Sequence, residues 1–168
     1  MQEYLKEYEK WLNDSYISDE DKNILKNMSE EEKMDSFYTS LTFGTGGIRG
    51  KIGLGTNRMN IYLIRKVTQG IANYLLDNYE EKAKKQGVVI AYDPRNMSKE
   101  FACNTAKVFI ANGIKAYIFN GVRTTPELSY AIRKLGCMVG IVITASHNKK
   151  EYNGYKVYFE DGAQIVEP

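Results

Sequence analysis

The chain has 168 residues, 43% of them hydrophobic and 26% charged, which suits one soluble domain whose core needs no metal or disulfide staple. A net charge of +2 is too small for a nucleic-acid binder. No apolar stretch approaches the length of a membrane span, and Met1-Gln-Glu-Tyr-Leu-Lys6 has no signal-peptide core, so the sequence reads as cytoplasmic, with no membrane partner.

The first forty residues read as helical. Tyr4, Leu5, Tyr8, Trp11 and Leu12 recur at helical spacing. Ser18 to Asp21 opens a second short helix, with acids near its positive end. Ser29 and Glu32 form a capping-box pattern that starts a third. None of this suggests chemistry, and residues 1–40 read as a helical extension ahead of a domain at 41–168. The glycine-dense run Thr42 to Lys51, continued by Gly53 and Gly55, reads as a flexible loop carrying one fixed cation, Arg49. A long amphipathic helix follows over 61–85, with Leu63, Ile64, Val67, Ile71 and Leu75 on its apolar side and Gly87 at its end.

From there the pattern alternates. Val88 to Tyr92 is a strand and Asp93-Pro-Arg95 a loop. Ser98 is placed to cap a helix that runs to about Asn112. Lys115 to Phe119 is a strand, Thr125-Pro126 a helix start, and Met138 to Ile143 a short β-branched run that reads as a strand buried on both faces. A last strand spans 154–159, and Asp161-Gly162 turns the chain into 163–166. This order predicts an α/β fold, a three-layer α/β/α domain with a small mixed sheet whose last strand is antiparallel to the others. Thirteen tyrosines read as half-buried boundary residues, and Cys103 and Cys137, with no CxxC spacing, as reduced core residues rather than a disulfide or metal ligands.

Two segments carry chemistry. The glycine loop is not a Walker A loop, because Ile52 follows Lys51, and not a dinucleotide fingerprint, because Arg49 stands where the last glycine belongs. Its amides and Arg49 could cradle a phosphate or simply form a turn. The buried strand ends in Thr144, Ser146, His147 and Asn148, and ligands of open α/β sheets sit at the carboxyl ends of strands. Ser146 is adjacent to the only histidine, yet no GxSxG elbow surrounds it. A hydrolase is therefore the weaker reading. The stronger one is a serine that carries a phosphoryl group, with Lys156 ten residues on to neutralise charge or, with a depressed pKa, to accept a hydroxyl proton. A stand-alone phosphate-binding module is the non-enzymatic alternative.

Phe43 to Gly50, Tyr92 to Arg95, Thr144 to Asn148 and Tyr152 to Lys156 together resemble domain 1 of the α-D-phosphohexomutases, in the phosphoglucomutase and phosphopentomutase branch. The helical extension and the wording Gly53 to Asn60 point to that branch. The resemblance implies an intramolecular phosphotransferase of the isomerase class, interconverting glucose 1-phosphate and glucose 6-phosphate. Phosphopentomutase or phosphomannomutase specificity remains the alternative. It implies that Ser146 is the phosphoserine and, through its phosphate, one Mg2+ ligand, that Lys156 is the general base, and that His147 assists at the sugar hydroxyls. Thr45 and Arg49 would contact a phosphosugar, with glucose 1,6-bisphosphate as intermediate and activator. The family loop usually continues Asn-Pro, whereas Asn148 is followed here by Lys149 and Lys150. Family members have four domains, with the remaining Mg2+ ligands in domain 2. The expectation is thus a domain 1 truncated at its C-terminal end, inactive alone, and prone to self-association through surfaces left uncovered.

Overall fold

A computed structural model describes residues 3–165 of the chain. Three short helices, α1 (Glu3–Asn13), α2 (Asp19–Lys26) and α3 (Glu30–Phe37), precede β1 (Gly47–Lys51) and α4 (Ile61–Gln86). There follow β2 (Val88–Tyr92), α5 (Ser98–Ala111), β3 (Ala116–Ile118), α6 (Thr125–Leu135), β4 (Val139–Ile143) and β5 (Tyr152–Phe159). The strands form one five-stranded sheet in the order β1-β5-β4-β2-β3. Strands β3 and β4 run parallel to β2, whereas β5 is antiparallel to β4 and β1 is antiparallel to β5. The sheet is mixed, as the alternation of elements predicts.

Every residue of β2 and β4 is buried, because helices cover both faces. Alternate residues face opposite layers. Val88, Ile90, Tyr92, Ile141, Ile143 and Tyr155 join the core made with Ile64 and Leu75 of α4 and Phe101 and Phe109 of α5. Val89, Ala91, Val142 and Tyr158 face Leu128 and Ile132 of α6. Phe101 and Phe109 are fully buried, each worth roughly 1.5–3 kcal/mol in transfer terms. The N-terminal helices bury their own cluster, in which Tyr8 and Trp11 meet the ring of Phe37 edge-on, both at 5.6 Å, and Trp11 meets Tyr62 of α4 at 5.5 Å. Ser18 caps α2, and Ser29 and Glu32 close the capping box of α3.

Several local readings are corrected. Gly47–Lys51 is not a flexible loop but the edge strand β1, whose residues find ladder partners on β5 that sequence periodicity cannot reveal. Strand β5 begins at Tyr152, earlier than expected, because Asn153 and Gly154 pair with Gly50 and Arg49. Ser98 does not cap α5. Met97 is the capping residue, in the left-handed region at φ 64, and the Ser98 hydroxyl is engaged elsewhere. Helix α4 is interrupted at Glu80 (φ 44) rather than continuous. Cys137 is a buried free thiol, but Cys103 is only partly buried. Asp161 and Gly162 do turn the chain, and Gln164 bridges back to Tyr158. Val166 lies outside the described residues.

Candidate active site

The parallel pairing of β2 and β4 places their carboxyl ends side by side, so the loops beginning at Asp93 and at Thr144 leave from the same edge of the sheet. β5 returns antiparallel with Lys156 opposite Val142. From there the lysine side chain reaches the loop, and its Nζ donates to Ser146 Oγ at 2.9 Å. Arg49 lies opposite Gly154 on β1, two residues from the position opposite Lys156, so the two cations share a face of the sheet. Its Nη1 donates to Asn148 Oδ1 at 2.7 Å. Burial, and secondarily the charge of Arg49, hold the Lys156 ammonium below the usual lysine range.

Ser146 is exposed and its backbone sits at φ 55, in the left-handed region that a residue with a Cβ occupies at a cost of about 1–2 kcal/mol. His147 is exposed beside it. Thr45 is exposed at the turn before β1, where Gly44 and Gly47 exchange backbone hydrogen bonds and Gln164 Nε2 donates to the Thr45 carbonyl at 3.4 Å. Among the five residues singled out from sequence, Lys156 is hydrogen-bonded to Ser146, and Arg49 is hydrogen-bonded to Asn148, two residues further along the same loop. His147 adjoins Ser146 along the chain, and Thr45 sits two residues before Gly47, the partner of Lys156 in the ladder.

The sequence reading gave no role to the residues that hold this loop. Arg95 Nη2 donates to the carbonyls of Ser146 (2.8 Å) and Asn148 (2.7 Å), and Nη1 to those of Lys149 (2.9 Å) and Tyr152 (3.2 Å). Its Nε lies 3.2 Å from Asp93 Oδ2. Asp93 Oδ1 accepts from the Arg95 amide and from Ser98 Oγ, and Ser98 Oγ in turn accepts from Asn153 Nδ2. Asn153 is fully buried in β5, although Asn-Gly reads as a turn dipeptide. The one sequence signal for the group was Asp93-Pro-Arg95 directly after a buried strand.

The donors gathered at Ser146 are cationic or neutral, a set that suits an anion. Among the described residues no three His, Cys, Asp or Glu side chains are placed to hold a metal ion. The hard anionic oxygens that Mg2+ prefers are therefore not assembled among these residues.

Comparison with known proteins points to one family. The sequence model described as "Phosphoglucomutase/phosphomannomutase, alpha/beta/alpha domain I" matches residues 40–168. A phosphoglucomutase from Staphylococcus epidermidis is 44% identical over 144 residues, covering 86% of this chain and 26% of that protein. One from Staphylococcus aureus is 44% identical over 160 residues, covering 94% and 28%. The chain thus spans little more than a quarter of the length of these relatives. Among solved structures, a putative phosphomannomutase from Thermus thermophilus superposes with a TM-score of 0.67 at 29% identity, covering 76% of this chain and 27% of that one. A phosphoglucomutase/phosphomannomutase family protein from Burkholderia thailandensis gives 0.60 at 26% identity, covering 74% and 27%. A family match over most of the chain, on a fold that delivers Ser146 to a nest of cations, leads to one conclusion: the chain belongs to the phosphoglucomutase/phosphomannomutase family, as its α/β/α domain I.

Proposed function

We propose that this chain is the phosphoserine-bearing domain of a phosphoglucomutase, an enzyme that moves a phosphoryl group between C1 and C6 of a hexose phosphate through glucose 1,6-bisphosphate. The observation that carries the reading is the 2.9 Å contact between Lys156 Nζ and Ser146 Oγ at the carboxyl end of β4. A phosphoryl group on Ser146 would lie between Lys156 and Arg49, where its charge is neutralised. When the phosphoryl group leaves for a sugar hydroxyl, Lys156 would take the hydroxyl proton; before any phosphate is attached, burial and then Arg49 hold its ammonium below the usual lysine range. The proposed roles are Ser146 as nucleophile and carrier, Lys156 as general base, His147 as a partner of the sugar hydroxyls, and Thr45 and Arg49 as contacts to the phosphosugar.

The proposal extends to the whole protein's organisation. Residues 1–40 form a helical extension and 41–168 a domain 1 that works with further domains. Mg2+ would take one ligand from the Ser146 phosphate and the rest from a second domain, so the 168 residues alone turn over little. A cytoplasmic location fits the absence, among the described residues, of any helix long and apolar enough to cross a membrane. Self-association through exposed apolar side chains such as Phe43 and Tyr74 is a further expectation. Sedimentation that does not change with concentration would speak against it.

Phosphomannomutase specificity is the second reading, favoured by the likeness to the Thermus thermophilus structure bearing that name. Incubation with glucose 1,6-bisphosphate followed by intact-mass measurement tests the central claim. A phosphate adduct that disappears in Ser146→Ala is expected, and labelling that survives that substitution would refute it. The same incubation with mannose 1,6-bisphosphate compares the two sugars.

A further inference from the structure

We infer that Arg95 is the positioning residue for Ser146: its guanidinium gathers the carbonyls of the serine loop and so fixes the left-handed backbone that aims Oγ at Lys156. The inference deepens the reading of Ser146 as phosphoryl carrier and rests on it.

The two peptide groups that flank Ser146 are each held from outside. Its amide donates to Thr144 Oγ1 at 3.0 Å, which orients the peptide before it. Its carbonyl accepts from Arg95 Nη2 at 2.8 Å, which orients the peptide after it. Those two orientations define φ and ψ, so the strained φ of 55 persists because both neighbours are pinned. The amide-side anchor comes from within the loop itself. The carbonyl-side anchor comes from the loop after β2 and is shared with the carbonyls of Asn148, Lys149 and Tyr152.

Four converging carbonyl oxygens repel one another unless a multi-donor cation stands between them. A planar guanidinium supplies five N–H groups in a fixed fork, whereas an ammonium supplies three from one point. Arg95 is itself fixed. Its Nε lies 3.2 Å from Asp93 Oδ2, its side chain is only 15% exposed, and Asp93 is anchored through Ser98 to the buried Asn153 of β5. The serine loop is therefore clamped from β2, α5 and β5 together. None of the Arg95 contacts is to Ser146 Oγ, so its effect passes through the Ser146 backbone.

Arg95→Lys and Arg95→Ala in the 168-residue chain test the inference, with folding checked by circular dichroism. In Arg95→Lys, which keeps the charge, the backbone 13C shifts of Ser146 should move from left-handed towards extended values. The rate of Ser146 phosphorylation by glucose 1,6-bisphosphate should fall by about a hundredfold, the scale of a misplacement near 1 Å, at an unchanged half-saturating concentration. Free guanidinium should restore part of the rate in Arg95→Ala. Unmoved Ser146 shifts in Arg95→Lys would overturn the inference, as would moved shifts with an unchanged rate. If the 168 residues alone take no phosphate from glucose 1,6-bisphosphate, the rate is read in the full-length enzyme instead, where absence of a Ser146 adduct would sink the carrier reading, and the Ser146 shifts alone decide whether Arg95 sets that backbone. If Arg95→Ala does not fold, Arg95→Lys decides.

Discussion

Lys156 and Ser146 are ten residues apart in the chain and 2.9 Å apart at Nζ and Oγ, because β5 doubles back on β4 and sets Lys156 opposite Val142. Lys156 lies on β5 and Ser146 in the loop that leaves β4, so the proposed base and the proposed nucleophile meet across one antiparallel turn. Replacing Lys156 by Gln keeps a hydrogen-bonding side chain but removes the titratable amine. Phosphoryl transfer to and from Ser146 should fall by about 10²–10⁴-fold, the usual worth of a positioned base. Quench-flow with glucose 1,6-bisphosphate would measure it.

The Lys156 pKa is lowered first by burial and then by Arg49. Removing the guanidinium in Arg49→Gln should raise that pKa towards the ordinary lysine value and move the alkaline rise of the transfer rate to higher pH. The stability sign follows from proton counting. Between the lowered native pKa and the ordinary lysine range, the unfolded chain binds more protons than the native one. Stability from this group therefore increases as pH rises through that window, and Lys156→Gln should flatten the increase. Urea unfolding at a series of alkaline pH values reads both slopes.

Gly47 shows why β1 can lie against β5. A Cβ there would come 2.2 Å from the Tyr155 carbonyl oxygen, a backbone atom that cannot step aside cheaply. Gly47→Ala should push β1 off the sheet edge, carry Arg49 away from Asn148, and weaken phosphate binding more than it weakens the fold. Thermal melts alongside phosphate titrations separate the two effects. Equal loss in both would show that the edge strand is only structural.

Asn153 is buried with both ends of its amide used, donating to the Asn96 carbonyl and Ser98 Oγ and accepting from the Gly154 amide. Asn153→Ala leaves those partners unsatisfied and should cost about 1–3 kcal/mol in urea unfolding. A loss below a few tenths would mean that water replaces the side chain.

The two cysteines should react differently. Burial pushes the Cys137 thiol up to about 11, so little thiolate exists at neutral pH and reagent cannot reach it. Cys103 is partly exposed on α5. Iodoacetamide should label Cys103 in the native chain and Cys137 only after unfolding, as peptide mapping would show.

Much of the architecture was written in the sequence, and for local reasons. Helices α2 and α3 start where Ser18 and Ser29 stand because a side-chain oxygen satisfies orphan amides within three residues. Strands β2 and β4 announce themselves as short β-branched runs, since a strand covered on both faces needs no polar alternation. Ser146 stood out because a polar break after such a strand falls at the edge where ligands bind. Strand β1 gave no such signal. Gly47-Ile-Arg-Gly-Lys51 has weak strand propensity, and its order comes from ladder partners a hundred residues away.

What the chain order alone determined, then, was every element except β1, and the serine loop with its neighbours His147 and Asn148. Tertiary structure decided which distant groups meet that loop. The antiparallel return of β5 selects Lys156, the edge pairing of β1 selects Arg49, and the parallel neighbour β2 brings Asp93 and Arg95 under the loop carbonyls. Those encounters depend on strand pairing over long sequence separations. Capping, periodicity and turn chemistry act over a few residues, and so they cannot encode them.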